Sequence, residues 1–340
     1  MKQLKSLVLA VICGVAGVAH AKVITVDNNA GSVAMHSSLQ AAIDSAATGD
    51  TILIAGSPNS YGTVYVGRRL NFSGPGYFLG EHNVAGINSN SASVGSFNLR
   101  RRDLQNATGC TFSGLSCTVN FEDAGITGVS IDKCRISGNG IGNPWGGLFS
   151  ISRCWLDGGI GLSVFGSSIR NSVIGSSLSL ENGTTATNCV VRDFNYAYQI
   201  NTKAGSSISN TVFITSTAVS LSKEAFAAGC KGSISHCLAV SGPGPSGEPS
   251  YLPAGLGNNP TIHLFYDAFT GGIQDKAYYL IDDSPAKGTG FDGVDMGIFS
   301  GARPYIISGL AQIPRITRFV VPSKATSSSG LRIEMDAEAF

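Results

Sequence analysis

Charged side chains make up only 13% of this sequence, about half the usual ~25%, and those in its middle recur at intervals near twenty residues. Asp132, Lys133 and Arg135 come first, then Arg153 and Asp157, then Arg170. In a chain that turns back on itself at that interval, Asp132 lies over Ser152 and Arg170, and Lys133 over Arg153. Carboxylates and cations along one strip suit an anionic sugar. They equally describe a solvated surface of ion pairs, each contributing ~0–1 kcal/mol. Both readings stay open on the residues alone. Asp292-Gly293-Val294-Asp295 offers two carboxylates to a calcium ion, which takes about six to eight oxygens, so it is a fragment of such a site. His36, His82 and His236 have no serine or acid at a recognisable spacing, and no catalytic triad is expected. No CxxC pair points to zinc.

What must position these side chains is a repeat. Ser130-Ile131-Asp132-Lys133-Cys134-Arg135-Ile136 aligns with segments whose apolar anchors are Ile151, Ile169, Ala186, Ile208 and Ile234. The steps between anchors are 20, 18, 17, 22 and 26 residues. Three positions after each anchor stands Cys, Ser or Thr (Cys134, Cys154, Ser172, Cys189, Thr211, Cys237). Five positions after it the residue is again apolar. Strand alternation would turn positions 0 and +3 to opposite faces, so a bend must lie between them. Position +2 reads Lys133, Arg153, Asn171, Asn188, Asn210 and His236, and the three Asn suit a sharp corner, because Asn tolerates the left-handed conformation. Each unit therefore reads as strand, corner, strand and longer return, stacked at ~4.8 Å per coil. The fold class is all-β: a right-handed parallel β-helix with an N-terminal capping helix and a short C-terminal β tail. Cys110-Thr111-Phe112-Ser113-Gly114 aligns with Cys134-Arg135-Ile136-Ser137-Gly138 and extends the cysteine column one coil earlier. Position +4 (Trp155, Val173, Val190, Val212, Leu238) is an outward apolar column that needs a cover.

The first residues read as an export signal: Lys2 and Lys5, an apolar run from Ser6 to Val18, and Ala19-His20-Ala21 before a cut at Lys22. That run is too short for a permanent span, which wants ~20 residues. The expected organisation is a signal peptide over 1–21, the β-helix over 22–303, and a tail over 304–340 that packs on the solenoid and covers the outward column. Localisation follows: periplasmic, cell-surface or extracellular. A formal net charge of +1 removes any electrostatic case for nucleic acid. Seven cysteines follow the signal, an odd number that leaves at least one thiol unpaired. Their regular column reads as core packing.

At the ends, Ser37-Ser38-Leu39-Gln40 opens a short amphipathic helix that closes the stack. Residues 74–102, rich in Gly, Ser and Asn, read as a loop projecting from it. Ser38-Leu39-Gln40-Ala41-Ala42-Ile43, Gly49-Asp50-Thr51-Ile52-Leu53-Ile54 and Tyr61-Gly62 resemble the opening of pectin-lyase-like β-helix proteins. Ser284-Pro285-Ala286-Lys287-Gly288 with Asp295-Met296-Gly297-Ile298-Phe299 resembles their closing coil. Gly74-Pro75-Gly76-Tyr77-Phe78-Leu79-Gly80-Glu81 resembles a group of bacterial secreted β-helix proteins. The resemblance covers roughly residues 23 to 300. It implies the fold and leaves the chemistry open, because the superfamily spans lyases, hydrolases, esterases, epimerases and adhesins. A lyase would hold calcium with acidic residues and use Arg or Lys as base, and a hydrolase would need clustered Asp. No polygalacturonase-like motif set is present. The expected reading is an exported protein that engages polysaccharide or builds the cell surface, with no resident cofactor. The rival is a polysaccharide lyase acting on an anionic glycan, with calcium.

Overall fold

The computed structural model describes residues 21–83, 88–102, 104–138, 140–142, 148–161, 166–194, 200–215, 232–241, 263–264, 268–310, 315–321, 331 and 333–338. Residues 1–20, which hold nearly all of the expected export signal, and Cys230 lie outside the described residues. Parallel strands stack coil on coil. One ten-stranded sheet runs from Val23–Val26 to Ser233–Ser235, and a second from Thr63–Val66 to His263–Leu264. A third sheet, of four strands, runs from Gly140–Gly142 to Ile200–Thr202. This is the architecture of a parallel β-helix. Among the described residues no helix is long and apolar enough to cross a membrane.

The register follows the repeat. Ile131 stands opposite Ile151, then Ile169, Ala186, Ile208 and Ile234 follow one per coil, each at most 1% exposed. The bend falls at position +2, where Lys133, Arg153, Asn171, Asn188, Asn210 and His236 all adopt φ between 47° and 55°. A left-handed residue that is not glycine costs ~1–2 kcal/mol, and least for Asn. The corner also explains the column that follows it. Each side chain at +3 donates back to the carbonyl two residues earlier: Cys134 to Asp132 (3.4 Å), Cys154 to Ser152 (3.1 Å) and Ser172 to Arg170 (2.8 Å). Cys189, Thr211 and Cys237 do the same to Thr187, Ser209 and Ser235. Cys, Ser and Thr share the column because each is small and carries one donor hydrogen.

All six described cysteines are buried and unpaired. Burial pushes the Cys110 thiol up to about 11 and those of Cys189 and Cys237 up to about 12. Since the thiolate is the reactive form, native protein at neutral pH should leave these six thiols unalkylated, and denaturation should expose them together. Mass spectrometry after iodoacetamide reads this directly, and native labelling at Cys154 or Cys189 would contradict the burial. Cys154→Ser should be nearly neutral, whereas Cys154→Ala should cost ~1 kcal/mol for the lost bond.

One alignment in the sequence fails. Phe112 lies opposite Ile131 and Cys117 opposite Ile136, so Cys110 is not the counterpart of Cys134. That counterpart is Leu115, which follows a left-handed corner at Gly114 (φ 67°). The loop expected over 74–102 is also different in kind. Ser93–Leu99 is a strand of the second sheet, paired with Thr63–Val66 and Ser116–Phe121, and Tyr77, Phe78 and Leu79 are buried.

The helix Leu39–Ser45 begins at Ser38, whose hydroxyl accepts from the amide of Ala41, and it places Leu39, Ala42 and Ile43 in the main core. Gln40 reaches the outermost strand of the second sheet. Its Oε1 accepts from Tyr65 N at 2.8 Å and its Nε2 donates to Tyr65 O at 3.3 Å. One amide side chain thus replaces the peptide group of a missing neighbour strand.

The outward column Trp155, Val173, Val190, Val212 and Leu238 is covered, and most covering side chains precede Pro304. Tyr77 and Phe78 reach it from the 74–80 segment, Phe78 edge-on to Trp155; the rest are Phe269, Ala286, Met296 and Ile298, with Tyr305 just beyond Pro304. This later segment runs along the corners: Asn171 Nδ2 donates to Ile298 O (2.9 Å) and Ser300 O (2.6 Å), and Phe291 N donates to Asn210 Oδ1 (2.7 Å). The corner Asn residues serve twice, once in backbone shape and once in docking the cover. Further along, Arg315–Val320 and Glu334–Glu338 form an antiparallel hairpin closed by Arg318 with Glu334 (2.9 Å).

Candidate functional site

Most of the charged strip is engaged within the protein. Asp132 accepts from Arg153 Nε (2.8 Å) and Nη2 (2.5 Å) and from Ser152 Oγ (2.7 Å), with the Arg153 side chain 8% exposed. Asp157 accepts from Arg135 Nε (3.1 Å) and Trp155 Nε1 (2.8 Å). Arg135 lies 4.8 Å over the Phe78 ring, so this pair braces the cover. Lys133 stands at its corner, half-buried, and that burial lowers its pKa. Arg170 ends the strand Ser168–Arg170 and is exposed. The structure thus splits the six candidates into two structural ion pairs, a corner lysine and one exposed arginine. Near the closing turn, Asp295 Oδ1 accepts from Gly288 N at 2.8 Å, and Asp292 sits in a left-handed turn (φ 59°). Among the described residues no group of three or more His, Cys, Asp or Glu side chains is placed to hold a metal ion.

The sheet faces differ in what they present. The second sheet is covered along the Trp155 to Leu238 column. The first sheet presents, on either side of its buried anchors, Thr111 and Ser113, Ser130 and Asp132, Ser150 and Ser152, Ser168 and Arg170. Then come Thr185 and Thr187, Ser207 and Ser209, Ser233 and Ser235. These side chains are half-buried or exposed, in two columns across seven rungs. The parallel register sets the rungs ~4.8 Å apart, and the two columns, two residues apart on each strand, ~6.6 Å apart. Each hydroxyl donates one hydrogen bond and accepts others, so apart from Asp132 and Arg170 the face is a lattice of ambivalent, uncharged groups. Some steps are closed by contacts along it: Thr111 Oγ1 donates to Asn71 Oδ1 (2.8 Å), Ser152 Oγ to Asp132 Oδ1 (2.7 Å) and Ser209 Oγ to Thr187 Oγ1 (3.4 Å). Sequence reasoning stopped at the charged members and missed this face. The signal was there, as Ser or Thr directly before and usually directly after each anchor.

A second constellation is buried. His82 Nε2 meets Asp275 Oδ1 at 2.5 Å, and Asp275 Oδ2 accepts from Tyr305 Oη (3.1 Å) and Ser308 N (2.7 Å). Tyr305 Oη in turn meets Tyr77 Oη. Burial raises both phenols well above their ordinary pKa. Asp275 is 0% exposed and the His82 side chain 1%, so the group has no open face toward a substrate and works as a clasp. It joins the Tyr77 segment to the cover. Gly76 permits the approach: with φ 122°, a Cβ there would stand 2.5 Å from Ser308 O. His82 and Asp275 are 193 residues apart, a partnership that no spacing rule reveals.

No family model and no curated protein matches the chain.

Proposed function

We propose that this protein is an exported, right-handed β-helix that binds polysaccharide along the open face of its first sheet and works as a surface-binding or surface-building element. The observation that carries this is the two-column array of hydroxyls over seven rungs. A glycan presents the same ambivalent groups at regular intervals, so a fixed lattice can exchange many weak hydrogen bonds with it at once. Neutral glycans are favoured over anionic ones, because Arg153 and Arg135 are already bound to Asp132 and Asp157. Of the charged candidates, Asp132 and Arg170 lie in the array itself.

The test is co-sedimentation of the mature chain with insoluble neutral polysaccharides, beside a uronate panel with and without calcium. Neutral polymer should carry down the wild type. Thr187→Lys with Ser209→Lys, both on the surface, should release it by at least roughly tenfold while leaving the melting temperature unchanged. Wild-type binding that survives this double change sinks the proposal. Unsaturated product from a uronate polymer would replace it with the lyase reading.

A further inference from the structure

At its N-terminal end the hydroxyl face is interrupted by two exposed apolar side chains, Val23 and Leu53, that alternate with Thr25 and Thr51. The column that carries Ser73 and Ser113 has Leu53 in its place on the neighbouring strand, 45% exposed. Leu53 forms the floor of a groove of about 820 Å³, with Val33 and Ala34 on one wall and Gly74 and Pro75 on the other. Both walls are fixed. The first is tied down by Met35 N to Thr25 Oγ1 (3.0 Å), Asp27 N to His36 O (3.0 Å) and Asn29 Nδ2 to Gly56 O (3.0 Å). The second is held by Gly74 N to Ser113 O (2.9 Å) and Gly76 N to Gly114 O (2.8 Å). A preformed apolar groove of this size suits a small ligand or one acyl chain.

The groove opens directly onto the rungs of Ser73 and Ser113, so one surface offers an apolar slot followed by a hydroxyl lattice. We propose that the two together bind a neutral glycolipid, with its acyl chain in the groove and its saccharide on the adjoining rungs. This rests on the glycan reading of the first sheet. A charged head group fits less well. The lining carboxylate of Asp27, held ionised by the Asn29 amide, repels an anion. The adjoining rungs carry Asn71, Thr111 and the two serines, none of them cationic.

Isothermal titration with dodecyl maltoside below its micelle concentration tests this, with maltose and dodecanoate as comparison ligands. One saturable site per chain is expected, tighter than for either comparison ligand. Leu53→Asp and Val33→Asp, both at exposed positions, should each weaken it by roughly tenfold or more without lowering the melting temperature. No dodecyl maltoside binding, binding indifferent to both substitutions, or equal affinity for dodecanoate would each overturn the proposal. If polysaccharide co-sedimentation persists while dodecyl maltoside fails, the glycolipid inference falls alone; if both fail, the glycan reading falls with it.

Discussion

Removing residues 268–340 is expected to leave a chain that melts far lower and binds a hydrophobic dye, whereas removing only residues 311–340 should change both far less. The outward column consists of one tryptophan, three valines and one leucine, each at most 4% exposed under the cover. Fully burying such a side chain contributes about 1.5–3 kcal/mol, so uncovering the four aliphatic residues and part of Trp155, which keeps Phe78, costs on the order of 10 kcal/mol as an upper bound. That is comparable to the whole stability of an ordinary domain. The shorter truncation spares Phe269, Met296, Ile298 and Tyr305, which make most of the cover. Thermal melts of the two truncations with an added dye separate the cases. Equal melting of wild type and the longer truncation would mean that the cover is not what stabilises the stack.

Asp275→Ala should destabilise the protein by about 3–5 kcal/mol, the scale for removing one partner from a buried, fully hydrogen-bonded polar cluster. Its carboxylate takes hydrogen bonds from His82, Tyr305 and the Ser308 amide, all buried, and alanine would strand all three. Asp275→Asn keeps the shape and loses the charge, and should fall between wild type and alanine. Chemical denaturation of the three proteins gives the order. An alanine variant as stable as wild type would show that the clasp holds nothing.

Much of the stack was legible because its geometry is local. The corners could be placed from three asparagines, and the register then set Lys133, Arg153 and His236 at the same left-handed angle, although their residue types alone would not suggest it. The slip at Cys110 came from matching a cysteine by identity where the conserved quantity is the corner, filled there by Gly114. The strand Ser93–Leu99 was hidden by its own irregularity: the pairing shifts register between Val94 and Phe97, which breaks the alternation that marks a strand. The need for a cover was visible in the apolar column, but its identity was not. Phe269 sits in an isolated bridge to Leu280, Met296 in irregular backbone and Ile298 in a turn, with no period among them. The clasp was illegible for a simpler reason, since only folding brings His82 to Asp275. Of the candidate face, the charged residues were seen and the hydroxyls passed over, because a serine beside a strand anchor looks like ordinary surface.

The Gln40 contact has a consequence for how the molecule keeps to itself. A parallel stack presents a row of unpaired amides and carbonyls at its end, which can template the strand of another chain and seed a fibril. Gln40 occupies both hydrogen-bonding groups of Tyr65 in the outermost strand of the second sheet. On the first sheet, Val26 bridges to His36: Asp27 N donates to His36 O, and His36 N donates to Thr25 O, across the same edge. The first coil is therefore closed to strand addition in both sheets. Copies brought to high density, as the proposed polymer binding would do, are thereby hindered from fusing through this end.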